Sequence, residues 1–393
     1  MYTRFLLLPM AVFLSFGAAA QQRKYVNDYL NIGVGARGLG MAGAQLASIQ
    51  DVNAAFWNPA GLSYITQDLQ LGYMHSEYFS GIAKYDHLGA AIPLKNNKGV
   101  LGISVLRYAI DDIPYTLNLI QQDGSIDYSK IRAISAQDYA GLISYAREVC
   151  PKWLAKYKGL GVRVGGNLKI ISRTIGSMAN AWGAGIDLGA QAKMGKWRMG
   201  AVLKDATTTY TLWSFSFTDK EKQVFASTGN DIVSRSSEIA TPRLQLGGGR
   251  VFTLSKKMDL LTELNLDITS DGKRYGNLIN LKPVSIDPRM GAELSYDKLF
   301  YLRAGLGNFQ RILDDKDTLN QQKVLLFQPS FGIGVKLKSF GIDYAFSSLN
   351  LQSNPLYSHF ISLKIDIKRK VATPSDPNKN SSTSGSSEPK DKK

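Results

Sequence analysis

Three histidines and a single cysteine are the scarce reactive side chains of this 393-residue chain. A metal or nucleophile site needs such groups to converge, with ligand spacing or with a base beside the nucleophile. Read as strand residues, His359 shares parity with apolar Ile361 and His75 with Leu71, whereas His87 lies on the face opposite Leu88 and Ile92. The faces disagree, so the three rings are expected at headgroup level rather than around one centre. Cys150 has no second cysteine for an intramolecular disulfide. No GxSxG elbow, HExxH helix or paired-cysteine spacing occurs. The expectation is no enzyme, no metal and no cofactor.

Two other stretches hold chemistry of a different kind. Gly33-Val-Gly35-Ala-Arg37-Gly38 matches GxGxxG, and Gly38, Gly40 and Gly43 match it again. A dinucleotide site also needs a preceding hydrophobic strand, a crossover helix and a downstream acid. The preceding strand is missing, so the glycines are read as allowing close backbone packing in a tight space such as a barrel lumen. Asp51 is placed to cap a short helix through Ala55, ending ahead of Asn58-Pro59. Farther on, Trp213, Phe215 and Phe217 share one face of an extended segment. They form either a lid over a mouth or a contact for a partner or ligand.

The elements that would position these residues are strands. From Leu160 to Asp205 the chain runs LGVRVGGNLKII, AWGAGIDLGAQAKM and WRMGAVLKD, each with apolar residues on one parity. The opposite parity carries Arg163, Lys169, Asp187 and Lys193. Side chains alternate faces along a strand. Mid-strand charges on one face, apolar residues on the other and a length of about ten residues suit a tilted membrane strand. About fourteen such runs follow residue 68, an even number as barrels require. They lie near 68–78, 83–94, 99–109, 137–147, 159–172, 181–194, 197–205, 242–254, 258–268, 286–296, 299–307, 325–337, 340–348 and 357–369. Connections such as Gly195-Lys196, Asp297-Lys298 and Lys338-Ser339 are tight, whereas 110–136, 206–241, 269–285 and 308–324 are long. That asymmetry predicts short periplasmic turns, long external loops and periplasmic termini. Trp182 and Trp197 fall at opposite strand ends, where amphipathic rings meet headgroups. The fold class is therefore all-β, a transmembrane antiparallel barrel of about fourteen strands. Its luminal charges, with Glu263, Asp267, Glu293 and Arg303, are expected to pair among themselves and with whatever fills the lumen.

Composition and address agree. Residues 1–20 carry Arg4, an apolar core from Phe5 to Phe16 and Ala18-Ala19-Ala20, the form of a secretory signal peptide. No later stretch reaches the roughly 18 apolar residues of a spanning helix. The excess of 47 basic over 32 acidic residues gives a charge of +15, scattered over wet faces and turns without a nucleic-acid motif, so no nucleic acid is expected. Residues 371–393 are hydrophilic and are expected to be disordered, either as a periplasmic tether or as a tolerated extension.

The segment from Gly38-Leu-Gly40-Met-Ala-Gly-Ala, through Ala47-Ser48 and Asp51, to Phe56-Trp57-Asn58-Pro59-Ala60-Gly61-Leu62 resembles the N-terminal signature of the PorV/PorQ family. That family comprises outer-membrane proteins of Bacteroidetes type, distantly similar to FadL fatty-acid transporters. The resemblance implies a FadL-like barrel (68–370) with a luminal hatch (21–67). Asn58, Pro59 and Ala60 would form the hatch's core turn, with Arg37 and Trp57 contacting the inner wall. It also implies a non-catalytic part in type IX secretion, binding cargo or machinery proteins in an outer membrane. The alternative is a FadL-like transporter of hydrophobic small molecules, with Trp213, Phe215 and Phe217 lining its pocket.

Overall fold

The structure is a computed structural model that describes residues 26–119, 121, 124–149, 159–270, 278–281, 283–314, 322–349 and 356–368. The leader, Cys150 and the hydrophilic tail lie outside the described residues. The first part of the chain's sheet comprises β1 (Leu69–Tyr78), β2 (Ala83–Pro93), β3 (Val100–Tyr115), β4 (Arg132–Val149), β5 (Leu160–Ile175), β6 (Ala179–Met194), β7 (Trp197–Lys204), β8 (Thr209–Phe215) and β9 (Arg235–Ala240). It continues as β10 (Arg243–Thr253), β11 (Met258–Thr269), β12 (Ile279–Leu281), β13 (Val284–Tyr296), β14 (Phe300–Leu313), β15 (Lys323–Leu337), β16 (Phe340–Leu349) and β17 (Leu356–Ile367).

Fourteen of these strands form a closed antiparallel ring, sealed where β1 pairs with β17 from Leu69 opposite Ile367 to Glu77 opposite His359. The short β12 lies beside β13. β8 and β9 continue β7 and β10 past breaks at 205–208 and 241–242, so they raise the wall on the long-loop side. Closure pairs every neighbouring backbone of the fourteen-strand ring and leaves the ring no edge, which is what a sheet needs in hydrocarbon.

The fourteen runs read from the sequence coincide with the ring strands. Segments 110–136, 206–241, 269–285 and 308–324, expected as loops, are partly strand instead, as β14 runs on to Leu313 and β13 starts at Val284. β3 passes a bulge where the register shifts between Ile110 and Ile113 and Asp112 takes a φ of 56°. Asp205 and Thr208 take φ of 52° and 63° between β7 and β8. Each irregularity interrupts the alternation from which strands were read.

Outward residues form an apolar belt. Leu88, Ile103, Ile143, Leu302, Phe331 and Ile361 are each at least half exposed. A continuous belt of this size belongs against lipid, not water. Trp182 and Trp197 are 63% and 49% exposed at the two ends of β6 and its hairpin partner β7. Among the described residues no helix is long and apolar enough to cross a membrane.

The chain from Val26 to Gln67 runs inside the ring. It is mostly irregular, with short helical turns at Asp28–Asn31, Ala36–Leu39, Ala54–Trp57 and Pro59–Tyr64. Asn53, not Asp51, precedes the Ala54–Trp57 turn, and it makes no side-chain cap. Asp51 accepts from the Asn53 N–H instead, a two-residue side-chain turn that competes with capping. Val52, Phe56 and Leu62 pack against wall residues Met74, Leu106 and Ile171. The wall makes room with glycine: a Cβ on Gly165 would lie 2.6 Å from the Pro59 carbonyl carbon, and one on Gly291 would lie 2.8 Å from Met41 Cβ.

This close seating is testable. Gly165→Val should destabilise the luminal segment by about 1–3 kcal/mol through overpacking. The measurement is limited proteolysis of the purified barrel, with heat-modifiable mobility on gels reporting whether the ring itself still closes. Unchanged resistance of residues 26–67 would refute the contact.

Candidate functional site

An irregular segment in a lumen has unpaired backbone groups, and the wall supplies their partners. Ser362 Oγ accepts from Ala36 N–H at 2.7 Å, and Gln70 Oε1 accepts from Val52 N–H at 2.7 Å. Glu263 Oε1 accepts from Ala47 N–H at 2.7 Å. In the other direction, Asn167 donates to the Ala55 carbonyl at 2.6 Å, Gln191 to that of Leu46 at 2.9 Å, and Lys204 to that of Phe56.

Charge pairing adds a second layer. Arg37 grips Glu293 with two bonds, Nε to Oε2 at 2.8 Å and Nη2 to Oε1 at 3.0 Å. Glu293 Oε2 also accepts from Arg303 Nε at 2.7 Å, and Arg303 Nη1 reaches Asp343 at 2.7 Å. Lys364 pairs with Asp51 at 3.2 Å. Lys169 is held by Asp187 at 3.1 Å and Asp205 at 2.5 Å. Two-bond guanidinium–carboxylate contacts fix orientation as well as position. Burial alone would raise the Asp51 carboxyl, but Lys364 and Arg37 beside it hold it below its ordinary value.

The residues singled out from the sequence fall as follows. Arg37 contacts the wall through Glu293, whereas the Trp57 indole N–H donates within the luminal segment to the Val34 carbonyl at 2.7 Å. Asn58 accepts from Ala60 N–H at 3.2 Å and donates to Leu46 and to Ala190 of the wall at 3.1 and 3.0 Å. Pro59 and Ala60 abut Gly165, and Gly40 lies against Gly332. Gly38 packs against Gln45, where a Cβ would collide with the side-chain amide. His87 departs from the headgroup expectation: it is 1% exposed on the inner face, while His75 pairs outside with Asp86 at 2.7 Å and His359 lies 2.8 Å from the Tyr344 hydroxyl. Parity alone assigns a face but not a depth. Among the described residues no cluster of three metal-ligating side chains forms.

Above the luminal segment, toward the long loops, lies a cavity of about 250 Å³. Ile32, Leu39, Tyr78 and Phe360 give it an apolar side. Arg243, Asp287, Arg289, Asn308, Gln328 and Ser330 give it a polar one. Sequence reasoning missed these residues because they come from six strands and the luminal segment and share no motif. Their only signal was inward parity near the long-loop ends of strands. Trp213, Phe215 and Phe217 do not line the cavity. They stack at 6.0 Å intervals on one another, and Phe217 meets Phe225 of the helix Asp219–Ser227 edge-on at 5.0 Å. Tyr115 of β3 donates to Glu221 of that helix, and Arg173 sits 4.9 Å above Trp213. The aromatic ladder thus joins the raised β8 wall to the far end of β3.

No sequence-family description matches the chain, and no curated protein matches it. Its fold is similar to that of solved transporters. The Pseudomonas putida toluene transporter TodX superposes with a TM-score of 0.54 at 13% identity, covering 85% of this chain and 98% of that one. The Ralstonia pickettii toluene transporter TbuX gives 0.51 at 12% identity, with 85% and 98% covered. CymD, a monoaromatic hydrocarbon channel, gives 0.50 at 12%, with 86% and 98% covered. The likeness is one of fold, a FadL-like closed barrel.

The lock predicts a pH profile. Because the folded value of Asp51 is depressed, its contribution is present above the ordinary carboxylate range and is lost as pH falls through the folded value. Protease resistance of the luminal segment should be flat above about pH 5 and fall only below about pH 4. Asp51→Asn should shrink that acid step, leaving the part carried by Glu293 and Glu263, and weaken the segment by roughly 3 kcal/mol, since Lys364 loses its carboxylate. An unchanged acid step in the variant would exclude Asp51 as its origin.

Proposed function

We propose that this protein is an outer-membrane barrel that takes up small molecules from the long-loop side, with residues 26–67 acting as a movable hatch. The single observation that carries the reading is the cavity between that segment and the wall. It lies where a solute entering from the loops would arrive, and the seated segment stands between it and the other end of the lumen. The transporter fold of TodX and TbuX supports the same reading. The solute class is a small, largely apolar molecule bearing a hydrogen-bonding group, since one side of the cavity is apolar and the other polar. Passage then requires the Arg37–Glu293 and Asp51–Lys364 contacts to open, and no covalent chemistry is involved.

A second reading, a PorV/PorQ-type component of type IX secretion, is favoured by the order of Gly38, Asp51 and Trp57-Asn58-Pro59-Ala60 in the luminal segment. In that reading the raised β8–β9 wall and its Trp213–Phe217 face would receive cargo or machinery proteins. Purification from native outer membranes in mild detergent, with mass spectrometry of proteins and small molecules, separates the two. A stoichiometric small molecule without protein partners is the expected result. Near-stoichiometric secretion proteins would replace the first reading with the second.

Orientation is tested on its own in a Cys150→Ser background. A cysteine replacing Ser227 should react with an impermeant maleimide on intact cells, and one replacing Ser255 only after permeabilisation. The reverse pattern would invert the barrel.

A further inference from the structure

The charge of +15 has an address. At the long-loop end and in the mid-lumen, cations meet acids: Lys84 with Asp111, Arg107 with Asp86, Arg173 with Asp138 and Glu238, and the Arg37–Glu293–Arg303–Asp343 chain. At the short-turn end Arg163 meets Glu148 at 2.9 Å, but the turns themselves differ. Each described hairpin turn there presents exposed lysine: Lys95, Lys196, Lys257, Lys298 and Lys338. Among these five, Lys257 has an acidic neighbour, Asp297, at a loose 3.9 Å.

A second row of cations lines the inside of the same mouth. Lys193 and Arg198 stand directly opposite each other in the β6–β7 ladder, and both share the inward parity of Gln191 and Gly200. Lys336 has the inward parity of Gly332 and Gly334 on β15. Arg198 donates to the Gly195 and Trp197 carbonyls, and among the described residues Lys193 and Lys336 have no acidic partner. Like charges set directly across a ladder destabilise it. An anion from outside the chain would relieve such an arrangement.

We propose that the short-turn mouth is a docking surface for a soluble protein that presents an acidic segment, on the side to which the hatch would release its solute. Anionic lipid is the weaker fit. Headgroups reach the outer circumference, where Arg250 stacks on Trp197 and Phe252, but not Lys193, Arg198 and Lys336 inside the rim. Only an occupant that bridges the mouth meets both rows. The periplasmic location of this surface rests on the orientation proposed above.

The test uses the full chain in nanodiscs of zwitterionic phosphatidylcholine, with poly-L-glutamate of about twenty residues as the probe and thermophoresis as the readout. Binding should fall at least about tenfold in the variant Lys193→Gln/Arg198→Gln/Lys336→Gln, and should weaken between about 50 and 500 mM salt. The control variant Lys84→Gln/Lys130→Gln/Lys222→Gln, at the opposite end, should bind as the parent does. Heat-modifiable mobility checks that both variants close. Equal binding by parent and triple variant overturns the proposal, as does an equal loss in the control. Loss of probe binding when phosphatidylglycerol is added to the nanodisc assigns the surface to lipid and also overturns it. A barrel that retains a solute yet ignores polyglutamate refutes this inference alone. Maleimide labelling at position 255 of intact cells would refute the orientation instead.

Discussion

An irregular backbone can lie inside a closed barrel only if its unpaired N–H and C=O groups find partners, and the rest of the structure answers to that constraint. The inner wall is polar because Ser362, Gln70, Glu263, Asn167, Gln191 and Lys204 must reach Ala36, Val52, Ala47, Ala55, Leu46 and Phe56. Glycine recurs on the same face because the backbones must approach that closely. Gly165 faces Pro59, and Gly291 faces Met41, where any side chain would push the segment off its donors. Wall composition and luminal seating are therefore one feature seen from two sides.

The same constraint explains what was legible in the sequence. A strand that faces lipid on one side and a polar lumen on the other has the cleanest period-two signal a chain can carry. The ring was accordingly visible in runs such as Leu160–Ile171 and Trp182–Met194. Irregularities hid what period two cannot encode. The Asp112 bulge and the positive φ at Asp205 and Thr208 concealed the upper strands, and with them the wall that lifts Trp213. Parity placed Glu293, Arg303, Lys169 and Asp187 on the wet face but could not state which carboxylate meets which cation. Those partners are set by ring geometry, as when Asp343 of β16 reaches Arg303 of β14 across β15. The cavity was illegible for the same reason, since several strands and the luminal segment contribute to it.

Electrostatics divides the molecule along its axis. In the lumen, desolvation makes an unpaired charge expensive, so Arg37, Lys169 and Arg303 each sit among carboxylates. At the short-turn mouth, water screens Lys196 and Lys338, and no such penalty forces pairing. Solvation permits the cationic rim but does not require it. A barrel needs only that its turn residues be polar, and serine or asparagine would serve equally. The one-sided choice of lysine, and the direct opposition of Lys193 and Arg198, are the features that the proposed acidic partner would use.

The chemistry of the cavity bears on the comparison with hydrocarbon transporters. Arg289 lies 3.5 Å from Asp287 and Arg243 lies 3.4 Å from Asp267, longer than the 2.7–2.8 Å bonds that lock Arg303 and Arg37. A bare hydrocarbon filling the space would strip water from Arg243, Arg289, Asn308 and Gln328 and return no hydrogen bond, at a cost of about 1–3 kcal/mol for each group left unsatisfied. A molecule with an apolar body against Ile32, Leu39 and Phe360 and a polar end toward the arginines avoids that penalty. The fold shared with toluene transporters extends to the barrel; under the proposed uptake, the side chains on β10, β13, β14 and β15 would set what the cavity accepts.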